Sequence, residues 1–221
     1  MMQKLIELRD SHEQEGAVCP LFRHPLFAWL GIRPVWGQHT QAEREALRKW
    51  ATGKSNLVEI GVAEGSSAID LREAMSASGT LWLIDPFHLG RVPGINATKR
   101  VAHRVLGKCR NGTVVWIEQF SFDAVIGWRD KIDFLFLDGD HSEPGIQRDW
   151  EDWRAFVIPG GVIAFHDAAL FPRGWTRPDW GPVKLVDRLF RSQSLAEWKI
   201  VQEVDSLVLV QRLEVGSIVE L

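Results

Sequence analysis

The feature that most restricts the fold is a series of short apolar runs separated by helical patterns. The runs are Leu57–Ile60, Leu81–Ile84, Val114–Ile117, Ile132–Leu137 and Val162–Phe165. Between them the apolar spacing becomes helical. In the stretch 98–108, Val101, Ala102, Val105 and Leu106 share one side, with Arg100, Arg104 and Lys108 on another. Ile146, Trp150, Trp153 and Val157 recur at i, i+4, i+7 and i+11 on a second amphipathic stretch. Further helical patterns run from Gly61 to Met75 and from Ser121 to Trp128. Continuously apolar strands need cover on both faces, so the alternation predicts a parallel sheet between two helical layers. The end differs: Trp198–Val204, a tight Asp205-Ser206 break and Leu207–Gln211 read as adjacent strands with no helix between. An α/β sandwich finishing in a hairpin is the expected architecture.

Composition narrows the classes. A length of 221 residues suits one large domain, and 45% apolar with 25% charged residues excludes a disordered chain. The formal charge of −3 supplies no global field toward nucleic acid or an anionic membrane. Cys19 and Cys109 are too few for a disulfide framework or a cysteine metal cluster. No run approaches the ~18 apolar residues of a membrane span. The start, MMQKLIELRDSHEQEG, carries acids where a secretory leader needs an apolar core, so a cytoplasmic location is expected. Residues 1–39 have weak periodicity and carry Pro20, Pro25, Pro34 and Gly37; they read as an appendage to a domain over 40–221. The Pro-rich part, 17–39, would cover either its own site or that of a neighbour in a homo-oligomer. Thr40-Gln-Ala-Glu43 has the form of a capping box opening a helix with Leu47 and Trp50 on one face.

Open parallel sheets bind ligands beyond the carboxyl ends of their strands, near the switch in strand order. Those ends carry Glu59 and Gly61, Asp85, Asp138-Gly139-Asp140-His141, and His166-Asp167. In the first turn, Glu59-Ile-Gly61-Val-Ala-Glu-Gly65-Ser66-Ser67, glycines permit a tight bend and close backbone approach to a ligand. The spacing is G-x-x-x-G, and Ala63 stands where a dinucleotide site would want its second glycine. Asp85 closes the second strand, well placed for a ribose diol.

Together, Glu59-Ile-Gly61-x-x-x-Gly65, Asp85, IDFLFLDGDH and PGGVIAFHD resemble a class I S-adenosylmethionine-dependent methyltransferase, closest to the macrocin O-methyltransferase-like group. The resemblance covers roughly residues 40–213. It implies a Rossmann-like, seven-stranded, mostly parallel sheet with helices on both faces and a C-terminal antiparallel hairpin. It also implies a cofactor pose: the methionine moiety over Gly61, Gly65 and Ser66, Glu59 near its ammonium group, Asp85 on the ribose hydroxyls and Ser121 near the adenine. Asp138 sits at the sheet edge between cofactor and metal.

The same resemblance implies a divalent cation, Mg²⁺ or Mn²⁺, on Asp138 and the pair His166-Asp167. The family has two acids at that pair, and imidazole favours later transition metals over Mg²⁺. His141, three residues past Asp138, is the implied general base, with Asp140 orienting it or the metal ligand. The expected activity is methyl transfer from S-adenosylmethionine to a hydroxyl of a sugar or other small polyol. A nicotinamide-dependent oxidoreductase and a non-catalytic S-adenosylmethionine-binding module are the alternatives. The acceptor is expected against residues 88–98 and 168–182; the latter holds Phe171, Arg173, Trp175, Arg177 and Trp180. Six Lys or Arg and no acid lie between Pro86 and Ile117, either a solvated helix face or a phosphate contact.

Overall fold

The structure is a computed structural model and describes residues 24–88, 91–92, 95–193 and 195–214. Seven strands form one sheet: β1 (Asn56–Ile60), β2 (Thr80–Ile84), β3 (Thr113–Ile117), β4 (Ile132–Leu137), β5 (Val157–Phe165), β6 (Trp198–Val204) and β7 (Leu207–Arg212). Their spatial order is β3-β2-β1-β4-β5-β7-β6. The pairings from β3 across to β5 are parallel, while β7 is antiparallel to both β5 and β6. The chain builds outward from β1 to β3, then returns to lay β4 on the other side of β1. Strand order therefore reverses between β1 and β4, where a ligand crevice is expected.

Among the described residues, seven α-helices accompany the sheet: α1 (Pro25–Trp29), α2 (Gln41–Ala51), α3 (Ser66–Ala74), α4 (Ala97–Leu106), α5 (Ser121–Ala124), α6 (Glu143–Trp153) and α7 (Gly181–Val186). Alternate strand residues feed two cores. Leu57, Leu81, Leu83, Phe134, Phe136, Leu207 and Leu209 pack on one face with Leu47 of α2, Leu71 of α3 and Leu106 of α4. Val58, Ile60, Leu135, Leu137, Ile163, Phe165 and Val208 pack on the other with Ile146, Trp150 and Trp153 of α6 and Leu185 of α7. Tryptophans are prominent on this second face, where Trp82, Trp128 and Trp153 meet edge to face at 5.0 Å between centroids. The α/β fold with cover on both faces and a terminal hairpin is as the sequence leads one to expect.

Three boundaries differ. Val157 does not close α6; a single 3₁₀ turn, Arg154–Phe156, ends the helix and Val157 opens β5. Pro159-Gly160-Gly161 is a bulge inside that strand, because Ile132 pairs with Val157 but Phe134 pairs with Val162. Gly160 supplies a left-handed φ of +77° there, and Pro159 needs no ladder donor at a bulge. The helix from Ser121 stops at Ala124, with Gly127 at φ +82° bending the chain before Trp128. Finally, α7 and the π-helical turn Asp187–Ser192 carry a helix that periodicity alone does not reveal; Pro182 in its first turn was its signal.

Thr40 and Glu43 form the capping box: Thr40 Oγ1 accepts from Glu43 N at 3.1 Å and Glu43 Oε2 from Thr40 N at 2.8 Å. Upstream, residues 24–39 make contacts with α4 and with the turn after β1. The Arg104 guanidinium donates to the Ala28 and Trp29 carbonyls, tying α1 to α4. Arg33 and Glu64 form a buried double hydrogen bond, Nη1 to Oε2 at 2.9 Å and Nη2 to Oε1 at 2.5 Å. Trp36 N donates to the same Oε2 at 2.8 Å. Glu64 belongs to the turn after β1, so the segment 33–36 is strapped across that turn. The first part of the expected appendage, residues 1–23 with Cys19 and Pro20, lies outside the described residues.

Candidate active site

The turn after β1 is made by glycines whose roles differ. Gly61 sits at φ +88°, and a Cβ there would overlap the Asp138 carbonyl of β4. The bare backbone thus closes the β1–β4 crevice from below, where strand order reverses. Gly65, at φ +82°, is the N-cap of α3 and fits against Ala102 and Leu106 of α4. Ala63 between them is also left-handed, at φ +45°. Ser66 opens α3, and Gly37 of the overlying segment leaves only enough room for its hydroxyl.

Asp85 holds this turn in shape. Its Oδ2 accepts from Val62 N and Ala63 N, both at 2.9 Å, and its Oδ1 from Phe87 N at 2.6 Å. Three of its roughly four acceptor positions are thereby engaged by backbone. The carboxylate expected on a ribose diol is first of all a clamp on the glycine turn.

Glu59, at the end of β1, is fully buried. Oε1 accepts from Ser67 Oγ at 2.5 Å, while Oε2 has no hydrogen-bond partner. Burial drives its pKa well above the ordinary carboxylate value; the Ser67 bond opposes this, and the charges of Asp138, Asp85 and Asp70 add to it. A buried carboxyl with one unused oxygen beside a glycine turn is suited to a cationic or hydrogen-bonding ligand group.

The edge beyond β4 and β5 gathers the titratable residues. His166 Nδ1 lies 2.8 Å from Asp138 Oδ1, and His141 Nε2 lies 3.3 Å from the same oxygen. His141 Nδ1 is 3.2 Å from Asp167 Oδ2, so two carboxylates bracket that ring. Burial tends to lower the His141 pKa, but hydrogen bonds to Asp138 and Asp167 push it up to about 9. Burial likewise opposes charge on Asp138, yet the His166 charge and hydrogen bonds from His141 and His166 hold it well below the usual range. His166 is raised well above an ordinary imidazole, with burial outweighed by Asp138, Glu43 and Asp167. Asp167, at φ +52°, also accepts from Trp175 Nε1 at 2.6 Å, which folds the 168–182 loop over the edge. In that loop Phe171 meets Trp175 edge to face at 5.0 Å, and Trp180 lies 6.0 Å from the His141 ring. Trp175 remains 40% exposed, so the loop presents an aromatic surface next to His141. In the other expected acceptor segment, 88–98, residues 89–90 and 93–94 lie outside the described residues.

Two expected residues have local partners. Asp140 is exposed, and its Oδ1 accepts from Ser142 N at 2.9 Å, shaping the start of α6. Ser121 Oγ donates to Asp149 Oδ1. Asp149, buried on α6 beside Gly139, was not singled out in the sequence, although an acid three residues past Ile146 was its signal. Burial raises its pKa to about 6 against the Ser121 hydrogen bond, with Asp140 and Asp152 adding to the rise.

His39 and Glu43 were missed as well. His39 comes from the irregular segment before α2, and its side chain is 5% exposed. Its ring faces that of His166 at 4.3 Å between centroids, and Nε2 stands 3.5 Å from Asp138 Oδ2. Glu43, besides capping α2, accepts from Ser206 N at 2.8 Å and Ser206 Oγ at 2.6 Å, and its Oε2 is 3.8 Å from His166 Nε2.

Residues 58–168, half of the chain, match a family described as a methyltransferase domain. The chain belongs to this methyltransferase family. Its motifs and sheet order place it in the S-adenosylmethionine-dependent class. Among solved structures, this methyltransferase is similar to an O-methyltransferase from Bacillus cereus in complex with SAH: 15% identity over 92% of this chain and 96% of that one, TM-score 0.61. It is also similar to the O-methyltransferase TomG from Streptomyces achromogenes, involved in tomaymycin synthesis, in complex with SAM: 17% identity, 95% and 96% coverage, TM-score 0.61. An rRNA methylase from Streptococcus thermophilus shares the fold at 11% identity, 77% and 94% coverage and TM-score 0.54.

Proposed function

We propose that this methyltransferase transfers a methyl group from S-adenosylmethionine to a hydroxyl of a small molecule, a sugar or similar polyol. The observation that carries the reading is His141, bracketed by Asp138 and Asp167, on the same sheet edge as the Gly61–Gly65 turn. S-adenosylmethionine, when bound, supplies an electrophilic methyl on a sulfonium. Glu59 and the bare backbone of Gly61 and Gly65 hold the methionine end. Asp85, through its remaining acceptor position, meets the ribose, and Ser121 with Asp149 lies toward the base. Methyl transfer is an in-line displacement, so the protein's work is alignment and removal of the hydroxyl proton. Asp167, on Nδ1, orients the His141 ring, and Nε2 takes that proton once its 3.3 Å contact with Asp138 is given up.

The donor set at the edge also fits a divalent cation, because His39 and His166 leave buried ring nitrogens without hydrogen-bond partners beside Asp138. Bound there, a cation supplies Lewis acidity to the acceptor hydroxyl and neutralises a carboxylate that now raises His141. A small acceptor is favoured over RNA. Three of the six cations of the 86–117 stretch have partners within the chain: Arg104 on backbone carbonyls, Lys99 2.6 Å from Glu118, and Arg100 over the Trp29 ring. The test is incubation with methyl-labelled S-adenosylmethionine and a panel of sugars, polyols, catechols and RNA. Label on a hydroxyl of a small acceptor is expected; label on RNA alone would overturn the acceptor class.

A further inference from the structure

We infer that His39, Asp138 and His166 form a transition-metal site of two imidazoles and one carboxylate, and that Asp167 is not a ligand. The inference deepens the proposed function and rests on it only for the use the cation serves. One donor atom from each of His39, Asp138 and His166 lies within 4.8 Å of the others. A second group, His141, His166 and Asp167, meets the same spacing. What separates them is which atoms are already engaged.

In the second group both Asp167 oxygens are occupied, Oδ1 by the Trp175 indole at 2.6 Å and Oδ2 by His141 Nδ1 at 3.2 Å. That carboxylate ties the aromatic loop to the His141 ring. In the first group, neither nitrogen of His39 nor Nε2 of His166 has a hydrogen-bond partner. Those side chains are 5% and 1% exposed. A buried imidazole without a partner forfeits the hydrogen bonds that water gave it, at a cost of about 1–3 kcal/mol. Two such rings, 4.3 Å apart and tilted by 39° at one carboxylate, are accounted for by an ion that takes their lone pairs. Glu43 Oε2, 3.8 Å from His166 Nε2, adds a further negative charge beside the site.

Two imidazoles and one carboxylate suit Fe²⁺, Co²⁺ or Zn²⁺ and fit Mg²⁺ poorly, since Mg²⁺ prefers oxygen throughout. The resemblance read in the sequence supplies acids at Asp138 and at the 166–167 pair; it supplies nothing at His39. Position adds a consequence. His39 ends the segment that Arg33 and Trp36 fasten to Glu64, so an ion on His39 locks that strap across the donor-binding turn.

The probe is Co²⁺, whose visible ligand-field absorption reports binding without any turnover. The full chain, freed of metal with EDTA and dialysed, is titrated with CoCl₂, and the cobalt X-ray absorption edge counts imidazole ligands on the wild type. One equivalent is expected, with two imidazoles and no displacement by a large excess of Mg²⁺. His39→Gln is expected to weaken Co²⁺ binding at least about tenfold, and Asp167→Asn to leave it nearly unchanged. No Co²⁺ binding, fewer than two imidazoles, or a larger loss in Asp167→Asn than in His39→Gln would overturn the site. The imidazole count needs no variant, so misfolding of His39→Gln leaves the test intact. S-adenosylhomocysteine titrated in EDTA separates the two readings. Its binding with no Co²⁺ uptake sinks the metal site alone, whereas its failure to bind sinks the methyltransferase chemistry and leaves the Co²⁺ result to stand by itself.

Discussion

Gly61 and Asp138 meet backbone to backbone across the reversal in strand order: a side chain on Gly61 would occupy the space of the Asp138 carbonyl. The glycine turn and the acidic edge are therefore parts of one contact. The left-handed φ of +88° at Gly61 adds a second constraint on the same residue. Gly61→Ala is expected to destabilise the protein by at least ~2 kcal/mol, since a left-handed non-glycine costs on the order of 1–3 kcal/mol before any overlap. Urea unfolding measures this; a midpoint equal to the wild type would contradict it.

Replacing His141 separates chemistry from binding. His141→Ala is expected to abolish turnover while leaving S-adenosylhomocysteine affinity within experimental error, because its contacts run to Asp138 and Asp167 and not to the glycine turn. Turnover at more than a few per cent of wild type would remove the ring from proton transfer.

Asp85 does two jobs at one position. Its three backbone hydrogen bonds hold the turn, and in the proposed cofactor pose its remaining acceptor position serves the ribose. Asp85→Ala is expected to lower both thermal stability and cofactor affinity, the latter by about 1–3 kcal/mol from lost charged hydrogen bonds. A fall in stability with unchanged affinity would confine Asp85 to the turn.

Asp149 gives the stability a pH signature. Its pKa stands at about 6 in the folded chain against 3.8 for an ordinary aspartate, so the folded state holds the proton more tightly than the unfolded one. The contribution is fully present below pH ~4 and is lost as pH rises through about 6. Asp149→Asn, which keeps an acceptor for Ser121 and cannot ionise, is expected to be more stable than wild type by on the order of 2–3 kcal/mol at pH 8. At pH 4 the two should unfold alike. Thermal unfolding of both proteins across that range decides it, and a constant difference would contradict the assignment.

The strands were legible because a sheet covered on both faces forces continuous apolar runs, and the acids and glycines at their ends mark the one edge where polar groups must emerge. Hence Glu59, Gly61, Asp85, Asp138, His141, His166 and Asp167 could be read in order along the chain. Pro159-Gly160-Gly161 misled because the same residues that stop a helix also build a β-bulge, and only pairing with Ile132 and Phe134 tells them apart. His39 was invisible for a different reason. It lies in a segment with no period, and its partners, Asp138 and His166, come from strands far along the chain. Glu43 hid behind a local explanation, since a capping box accounts for it fully until Ser206 and His166 are seen beside it.

The most direct measurement is calorimetric titration of S-adenosylhomocysteine into the wild type and into Gly61→Val. Dissociation in the micromolar range for the wild type, lost in Gly61→Val, is the result the account predicts. A wild type that takes up no S-adenosylhomocysteine, with or without a divalent cation, would contradict it.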